Sequence, residues 1–384
     1  MSLYVHLPFC VRKCRYCDFN SHAFVDHDLD AHVDAVVAEA TMRAEGLRPQ
    51  TVFVGGGTPT LIGPARMTRL LDGLDRATGF RASASEVTME ANPESLDAAT
   101  AEAMRGGGVD RVSIGVQSLD DEVLRAYDRV HDGDTALAAF DVACAAGFKR
   151  INLDLIYAFP GQDTQAWEDT LATVHALGPE HLSCYELSYE PGTTLTKLRD
   201  KGKWHGEDPE RCAALFERTR ELNAAAGYAP YEVSAFARAG EACRHNLAYW
   251  RSLDYVGIGA GAAGWRDGER RQNLAAPEEY RAAVEAGRDP HATRERPTPA
   301  MRLFDHLMMG LRLEHEGVSL ARAEAQCGDA VGELRPKLDE LVDRGLLAWV
   351  EREQDTRLVA TAGGYRILDS VLAELLPDGD GMEV

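Results

Sequence analysis

Leu3-Tyr4-Val5-His6-Leu7-Pro8-Phe9-Cys10-Val11-Arg12-Lys13-Cys14-Arg15-Tyr16-Cys17 is a short apolar strand pattern that runs into a loop carrying three cysteines. The strand half of this stretch recurs along the chain. Leu3–Leu7 precedes a helical pattern over Asp28–Glu45, Val52–Gly55 one over Ala65–Thr78, and Glu86–Glu90 one over Ala98–Gly106. Arg111–Gly115 precedes a helix from near Asp120, Arg150–Ile156 one from near Thr164, and His181–Leu187 one from Pro209. Six strands, each followed by a helix, predict an α/β fold with a parallel sheet and right-handed crossovers, a partial (β/α)6 TIM-like barrel.

Barrels of this kind gather their chemistry at the carboxyl ends of the strands. Cys10 follows the first predicted strand, Gly55-Gly56-Gly57-Thr58-Pro59 the second, Glu90-Ala91-Asn92-Pro93 the third and Gln117 the fourth, while Asp154 lies within the fifth. Any one of these alone reads as a turn or a helix cap. Their recurrence at one face argues for a site.

Cys10, Cys14 and Cys17 come from one loop. Three thiolates can hold three irons of a cubane and leave the fourth without a protein ligand, and an open coordination position is built to take a small molecule. Zinc is the alternative, but a closed structural site takes four ligands, and a spacing of three then two does not match paired knuckles. His6, a conceivable fourth donor, precedes the loop inside the strand. Cys144, Cys184, Cys212, Cys243 and Cys327 are scattered singly, which suits a reducing compartment.

The 384 residues are 45% apolar, enough for one large domain and a smaller one. A net charge of -21 opposes long-range attraction to nucleic acid or anionic lipid. No stretch approaches the roughly 20 apolar residues of a membrane span, and the first residues lack the order of a signal peptide. A cytoplasmic protein is expected.

Beyond Gly227 the pattern loosens. Tyr255–Gly261 reads as a small-residue turn and Asp267–Pro299 as a charged linker with one helix near Pro277–Ala286. From Ala300, three helices (the third about Ala330–Gly345), strands at Leu346–Val350 and Leu358–Thr361 and a last helix read as a winged-helix-like α+β domain, with a frayed tail at Pro377–Val384. Residues 301–384 hold nine basic and seventeen acidic side chains, so a packing domain or lid is expected rather than a nucleic-acid reader. The expected domains are 1–265, the barrel with the cysteine loop and the segment around His245; 266–299, a linker; and 300–384.

Cys-x3-Cys-x2-Cys followed by Gly-Gly-Gly-Thr-Pro resembles the radical SAM superfamily. The resemblance implies a 4Fe-4S cluster on Cys10, Cys14 and Cys17. In that superfamily the amino and carboxylate groups of S-adenosylmethionine (SAM) chelate the fourth iron, and electron delivery can cleave SAM to a 5'-deoxyadenosyl radical. The likeness sharpens to the group of oxygen-independent coproporphyrinogen III oxidases and related heme chaperones. It rests on Tyr4-Val5-His6-Leu7-Pro8-Phe9-Cys10, Glu90-Ala91-Asn92-Pro93, Ser113-Ile114-Gly115-Val116-Gln117-Ser118 and Asn152-Leu153-Asp154-Leu155-Ile156-Tyr157.

By that resemblance SAM is contacted by Tyr4, Tyr16, Gly56, Gly57, Thr58, Glu90, Gln117, Arg129 and Asp154. Carboxylates can accept ribose hydroxyls or the ammonium, Arg129 can fork onto a carboxylate, and Tyr16 offers a stacking face. In the oxidase some of these positions attend a second SAM; whether this chain takes one or two stays open.

Three departures separate the chain from the oxidase pattern. Phe19 stands where the oxidase motif has a further cysteine, and only nine residues precede Cys10, where the oxidase has an extension that helps build its substrate site. Third, Arg244-His245-Asn246-Leu247-Ala248-Tyr249-Trp250 contains His-Asn-x-x-Tyr-Trp, similar to the heme-binding signature of the chaperones. On a helix His245 and Tyr249 share a face, as do Asn246 and Trp250. Imidazole and phenol can ligate heme iron and indole can cover the macrocycle. The plainer reading is that Tyr249 and Trp250 pack the barrel while His245 caps a helix.

Two functions from different classes therefore stand. In one the chain binds heme, with His245 as axial ligand, and passes it to acceptor hemoproteins such as respiratory ones. In the other it is a coproporphyrinogen III dehydrogenase that decarboxylates propionate side chains by radical chemistry. Radical chemistry on an unrelated small molecule ranks third. The resemblance also implies dimerisation on cluster binding and peripheral contact with the cytoplasmic membrane.

Overall fold

Five of the barrel helices start at an aspartate whose carboxylate accepts a backbone N–H of the first turn: Asp28, Asp97, Asp132, Asp163 and Asp208. These caps separate the helical runs from the preceding strands. The computed structural model describes residues 1–352 and 355–377, so most of the predicted C-terminal tail lies outside the described residues.

The strands are β1 (Ser2–Leu7), β2 (Thr51–Gly56), β3 (Glu86–Ala91), β4 (Arg111–Gln117), β5 (Arg150–Tyr157) and β6 (His181–Glu186). They pair in parallel in that order. The helices α1 (Leu29–Arg43), α2 (Gly63–Thr78), α3 (Ala98–Gly106), α4 (Gly133–Ala145), α5 (Thr164–Leu177) and α6 (Pro209–Ala225) follow them in turn. The α/β barrel-type core is as expected.

Alternation along the strands decides which face does what. Leu3, Val5, Leu7, Val52, Val54, Val87, Met89, Val112, Ile114, Ile151, Leu153 and Leu182 are buried in the main apolar core. The intervening positions Tyr4, Phe53, Thr88, Glu90, Arg111, Ser113, Asn152, Asp154, His181 and Ser183 line a cavity. Successive side chains of a strand point to opposite faces. The lumen is therefore polar and open rather than filled by layers of branched side chains.

Two sequence expectations fail at the β1 edge. Tyr255–Ile258 is no turn but a further parallel strand on β1, with Ser2 opposite Tyr255 and Val5 opposite Ile258. Residues 266–299 are no linker: Ala263–Arg266, Glu269–Asn273 and His291–Glu295 extend the same sheet in antiparallel pairs, around the helix Pro277–Glu285. Gly257 permits the return, because a Cβ there would lie 1.9 Å from the Ala263 carbonyl oxygen. The strands escaped sequence reading because Glu269-Arg270-Arg271-Gln272 carries no apolar alternation. Arginines of these strands instead pair with Glu269, Glu295 and Asp305.

The C-terminal region has its own core, with Leu303, Leu307, Leu311, Leu338, Leu341, Leu347, Leu358 and Val371 among its buried residues. Helices Pro299–Gly310, Leu320–Cys327 and Ala330–Asp343 cover a small sheet of Val318–Ser319, Asp355–Ala360 and Leu347–Arg352 in that order. It joins the barrel through Arg220 with Glu314 and Arg251 with Glu316.

Candidate functional site

The cysteine loop is tied down at several points. The Arg15 N–H donates to the Tyr127 carbonyl at 3.0 Å, the Leu195 N–H to the Arg15 carbonyl at 2.9 Å, and Lys13 Nζ to the Phe19 carbonyl at 2.8 Å. The glycine turn packs directly beneath: Gly57 N–H donates to the Leu7 carbonyl at 2.8 Å and Thr58 N–H to the Phe9 carbonyl at 2.7 Å. A Cβ on Gly57 would lie 2.5 Å from the Phe9 oxygen, so this approach requires glycine.

His6 is no fourth ligand. Its Nε2 lies 2.9 Å from the Asn20 carbonyl and must donate, which leaves Nδ1 to accept the Tyr4 hydroxyl at 2.7 Å. Burial lowers its basicity and keeps the ring neutral.

A hydrogen-bonded arc joins two of the cysteines through three strand ends. Thr58 Oγ1 donates to Cys10 Sγ at 3.5 Å and accepts from Asn92 Nδ2 at 2.9 Å. Asn92 Oδ1 accepts from Arg129 Nη2 at 2.8 Å, and Arg129 Nη1 reaches Cys14 Sγ at 3.4 Å. Arg129 also donates to the Gly115 carbonyl at 2.9 Å. The Arg129 guanidinium thus sets a positive charge against Cys14 Sγ.

Burial pushes the Cys10 thiol up and the Cys17 thiol up to about 11. Such thiols lose their protons when a metal takes the electron pair. Among the described residues no group of three or more His, Cys, Asp or Glu could hold a single metal ion. A cubane gives each thiolate its own iron and needs no such convergence. Three thiols on one cavity wall, a buried guanidinium and a hydroxyl donor fit a cluster with one free corner.

The cavity of about 790 Å³ is lined by Cys10, Cys14 and Cys17 and by eight of the nine residues expected at SAM: Tyr4, Tyr16, Gly56, Gly57, Glu90, Gln117, Arg129 and Asp154. Its size lies in the range of small-ligand pockets. Thr58, 1% exposed, stands behind Cys10 instead. Gly56 has φ +111, and a Cβ there would lie 2.5 Å from the His6 ring. Its N–H donates to Glu90 Oε2 at 2.9 Å.

Burial, reinforced by the Asp154 charge, pushes the Glu90 carboxyl up to about 7. Burial also raises Asp154, although Ser113 Oγ and Asn152 Nδ2 donate to it at 3.0 and 2.8 Å. Two acids raised by burial make a wall that a cation would stabilise. Gln117 holds φ +64, in the left-handed region, at a register shift in β4 that turns its amide into the cavity.

The expected heme segment forms the helix Arg244–Trp250, at the opposite end of the lumen from the cysteines. Glu86, at the start of β3, accepts the His245 N–H at 2.9 Å and the Arg244 N–H at 3.1 Å. Asn246 and Tyr249 line the cavity; His245 and Trp250 do not. The His245 ring is fully buried between Thr51 Oγ1 at 2.9 Å and the Tyr249 hydroxyl at 2.8 Å. Thr51 donates its own proton to Ser2 Oγ, so His245 Nδ1 donates to Thr51 and Nε2 accepts from Tyr249. Burial lowers this imidazole to about 3, and in this conformation its lone pair is engaged. Trp250 lies under the Arg312 guanidinium at 5.9 Å.

Sequence reading gave no role to Asn92, which completes the arc, or to Arg111, Ser113, Asn152, His181 and Ser183 in the lumen. Polar residues at alternate positions of otherwise apolar strands were the available signal.

Fold and site together define a radical SAM protein, and residues 4–174 match the Radical SAM superfamily. Heme chaperone HemW of Escherichia coli is 37% identical over 365 residues, spanning 90% of this chain and 91% of its own. Heme chaperone HemW of Bacillus subtilis is 34% identical over 350 residues, spanning 90% and 92%. The coproporphyrinogen III oxidase (HemN) structure from Escherichia coli superposes with a TM-score of 0.81 over 97% of this chain and 89% of that one, at 24% identity, a likeness of fold. The chain belongs to the radical SAM superfamily and, within it, to the HemW group. Among the described residues no helix is long and apolar enough to cross a membrane.

Proposed function

We propose that the chain is a heme chaperone: it takes up heme and hands it to acceptor hemoproteins, respiratory ones among them, in the cytoplasm. Cys10, Cys14 and Cys17 would hold a 4Fe-4S cluster, which when bound supplies an open iron for SAM and an electron for its cleavage. The observation that carries this reading is the single cavity that runs from the cysteine loop to Asn246 and Tyr249 of the His-Asn-x-x-Tyr-Trp helix. Heme chaperones of the same family extend over nine-tenths of the chain.

The chain's own residues have separable tasks. Arg129 and Thr58 stabilise sulfur charge on Cys14 and Cys10. Glu90, Asp154 and Gln117 present acceptors to the ammonium and ribose of SAM, and Tyr16 presents a face to the adenine. Tyr249 and Asn246 meet the heme first. His245 would be free to ligate heme iron once Tyr249 releases its Nε2, and Trp250 supports the helix from behind.

Anaerobic reconstitution with iron and sulfide, followed on one sample by heme titration and a coproporphyrinogen turnover assay, tests the proposal. Uptake of one heme per chain without porphyrin product is expected. Rapid decarboxylation would replace chaperone by oxidase, and purification with zinc in place of iron would remove the cluster.

A further inference from the structure

The geometry points to a carboxylate subsite on Arg111 at the floor of the lumen, which receives an acidic arm of the ligand lying beneath SAM. This deepens the heme reading, on which the choice of ligand rests, because heme carries propionate arms.

β4 runs from Arg111 to Gln117, so Arg111 stands about 20 Å of strand away from the end that faces the cluster loop. Its side chain is 1% exposed and lines the cavity. Nη1 donates to the Glu241 carbonyl at 2.9 Å, and Nη2 has no partner among the described residues. Acids on the neighbouring strands are engaged elsewhere: Glu86 with Arg150 and the Arg244–Trp250 helix, Asp154 with Ser113 and Asn152.

Thr88 is the register partner of Arg111 on β3, and its buried Oγ1 also lacks a partner and lines the same cavity. Two unsatisfied donors therefore sit side by side on one floor. Around them Asn152, His181, Ser183 and Asn246 complete a polar lining. Burial pushes the His181 imidazole well down, so the ring is neutral and adds no competing charge.

Asp154 feels the Arg111 charge but does not hydrogen-bond it, and a buried guanidinium with an unsatisfied N–H is costly unless a ligand supplies a partner. A guanidinium fork fits a carboxylate with two parallel hydrogen bonds, and Thr88 adds a third donor. A SAM whose amino acid end is held at the cluster cannot also place that carboxylate on Arg111. The floor thus belongs to a second ligand.

The test uses the anaerobically reconstituted full chain, Arg111→Met and Thr88→Val. Sodium propionate should raise the melting temperature of wild type and not of Arg111→Met, while sodium chloride at equal ionic strength should do neither. Heme should bind wild type about ten-fold or more tighter than heme dimethyl ester, as expected for charged hydrogen bonds. That preference should vanish in Arg111→Met and shrink in Thr88→Val. Should Arg111→Met fail to fold, Arg111→Lys takes its place, with the preference reduced by loss of the fork.

A preference that survives in the Arg111 variant, a wild type indifferent to propionate, or equal protection by chloride overturns the subsite. Wild type that binds neither porphyrin while propionate still protects it through Arg111 overturns heme uptake and leaves the subsite standing.

Discussion

Glu90→Gln probes the electrostatics of the cavity wall proposed to face SAM. Burial and the Asp154 charge move the Glu90 carboxyl from 4.5 up to about 7, opposed only by the Gly56 N–H. Below pH 4.5 the folded and unfolded carboxyls are both protonated and Glu90 adds no pH dependence. Between there and pH 7 the folded state holds the proton more tightly, so stability falls as pH rises. Above pH 7 the loss levels at about 3 kcal/mol, at about 1.4 kcal/mol per pH unit.

Glutamine keeps the shape and the acceptor for Gly56 but carries no charge. Relative to wild type, Glu90→Gln should be of similar stability at pH 5 and gain about 2–3 kcal/mol at pH 8, somewhat less than the full figure because the cavity admits water. Urea unfolding of the cluster-free full chain at pH 5, 6, 7 and 8, followed by tryptophan fluorescence, gives the difference directly. A difference that stays constant across this range would refute the reasoning, since a neutral or fully solvated carboxyl would produce it.

Gly56→Ala forces a Cβ to within 2.5 Å of the His6 ring at φ +111; about 1–3 kcal/mol of backbone strain plus the clash should lower the melting temperature and the iron retained per chain. Asn92→Leu cuts the arc between Thr58 and Arg129 and should lose about 2–4 kcal/mol, one charged and one neutral hydrogen bond, with cluster retention falling alongside. His245→Ala should destabilise the heme-free protein by about 3 kcal/mol, because the ring fills a buried site between Thr51 and Tyr249. Tyr249→Phe should cost about 1–2 kcal/mol, because the buried Nε2 loses its donor, and should tighten heme binding; heme affinity that does not rise would exclude His245 as the ligand.

The six strand and helix pairs and the three-thiol loop were legible because each is written locally. Strand faces follow a period of two, helix starts follow from aspartate caps, and the cysteines lie within one loop. The glycine turn, Glu90, Gln117 and Asp154 could be placed at one mouth because strand ends in a parallel barrel share a face. Of the five scattered cysteines, Cys184 and Cys327 are buried in the two apolar cores, whereas Cys243 donates to Glu86 at 3.5 Å and lines the lumen.

What the chain alone could not decide is who meets whom across the lumen of the partial barrel. Thr51 and His245 are 194 residues apart, and only the parallel strand Tyr255–Ile258 on β1 brings that helix under the lumen. That strand is a short, largely buried run whose glycine reads as a turn, and its antiparallel extension is charged and paired by backbone register and ion pairs, which leave no apolar period to read. The sequence alone thus determined the repeating unit and the three-cysteine loop, since both depend on neighbours in the chain. Tertiary structure alone decided that His245 is engaged by Tyr249, that Asn92 links Thr58 to Arg129 and that Arg111 faces the cavity with one guanidinium nitrogen unpaired. Hydrogen bonds and buried charges between distant strands take their partners from the curvature of the sheet.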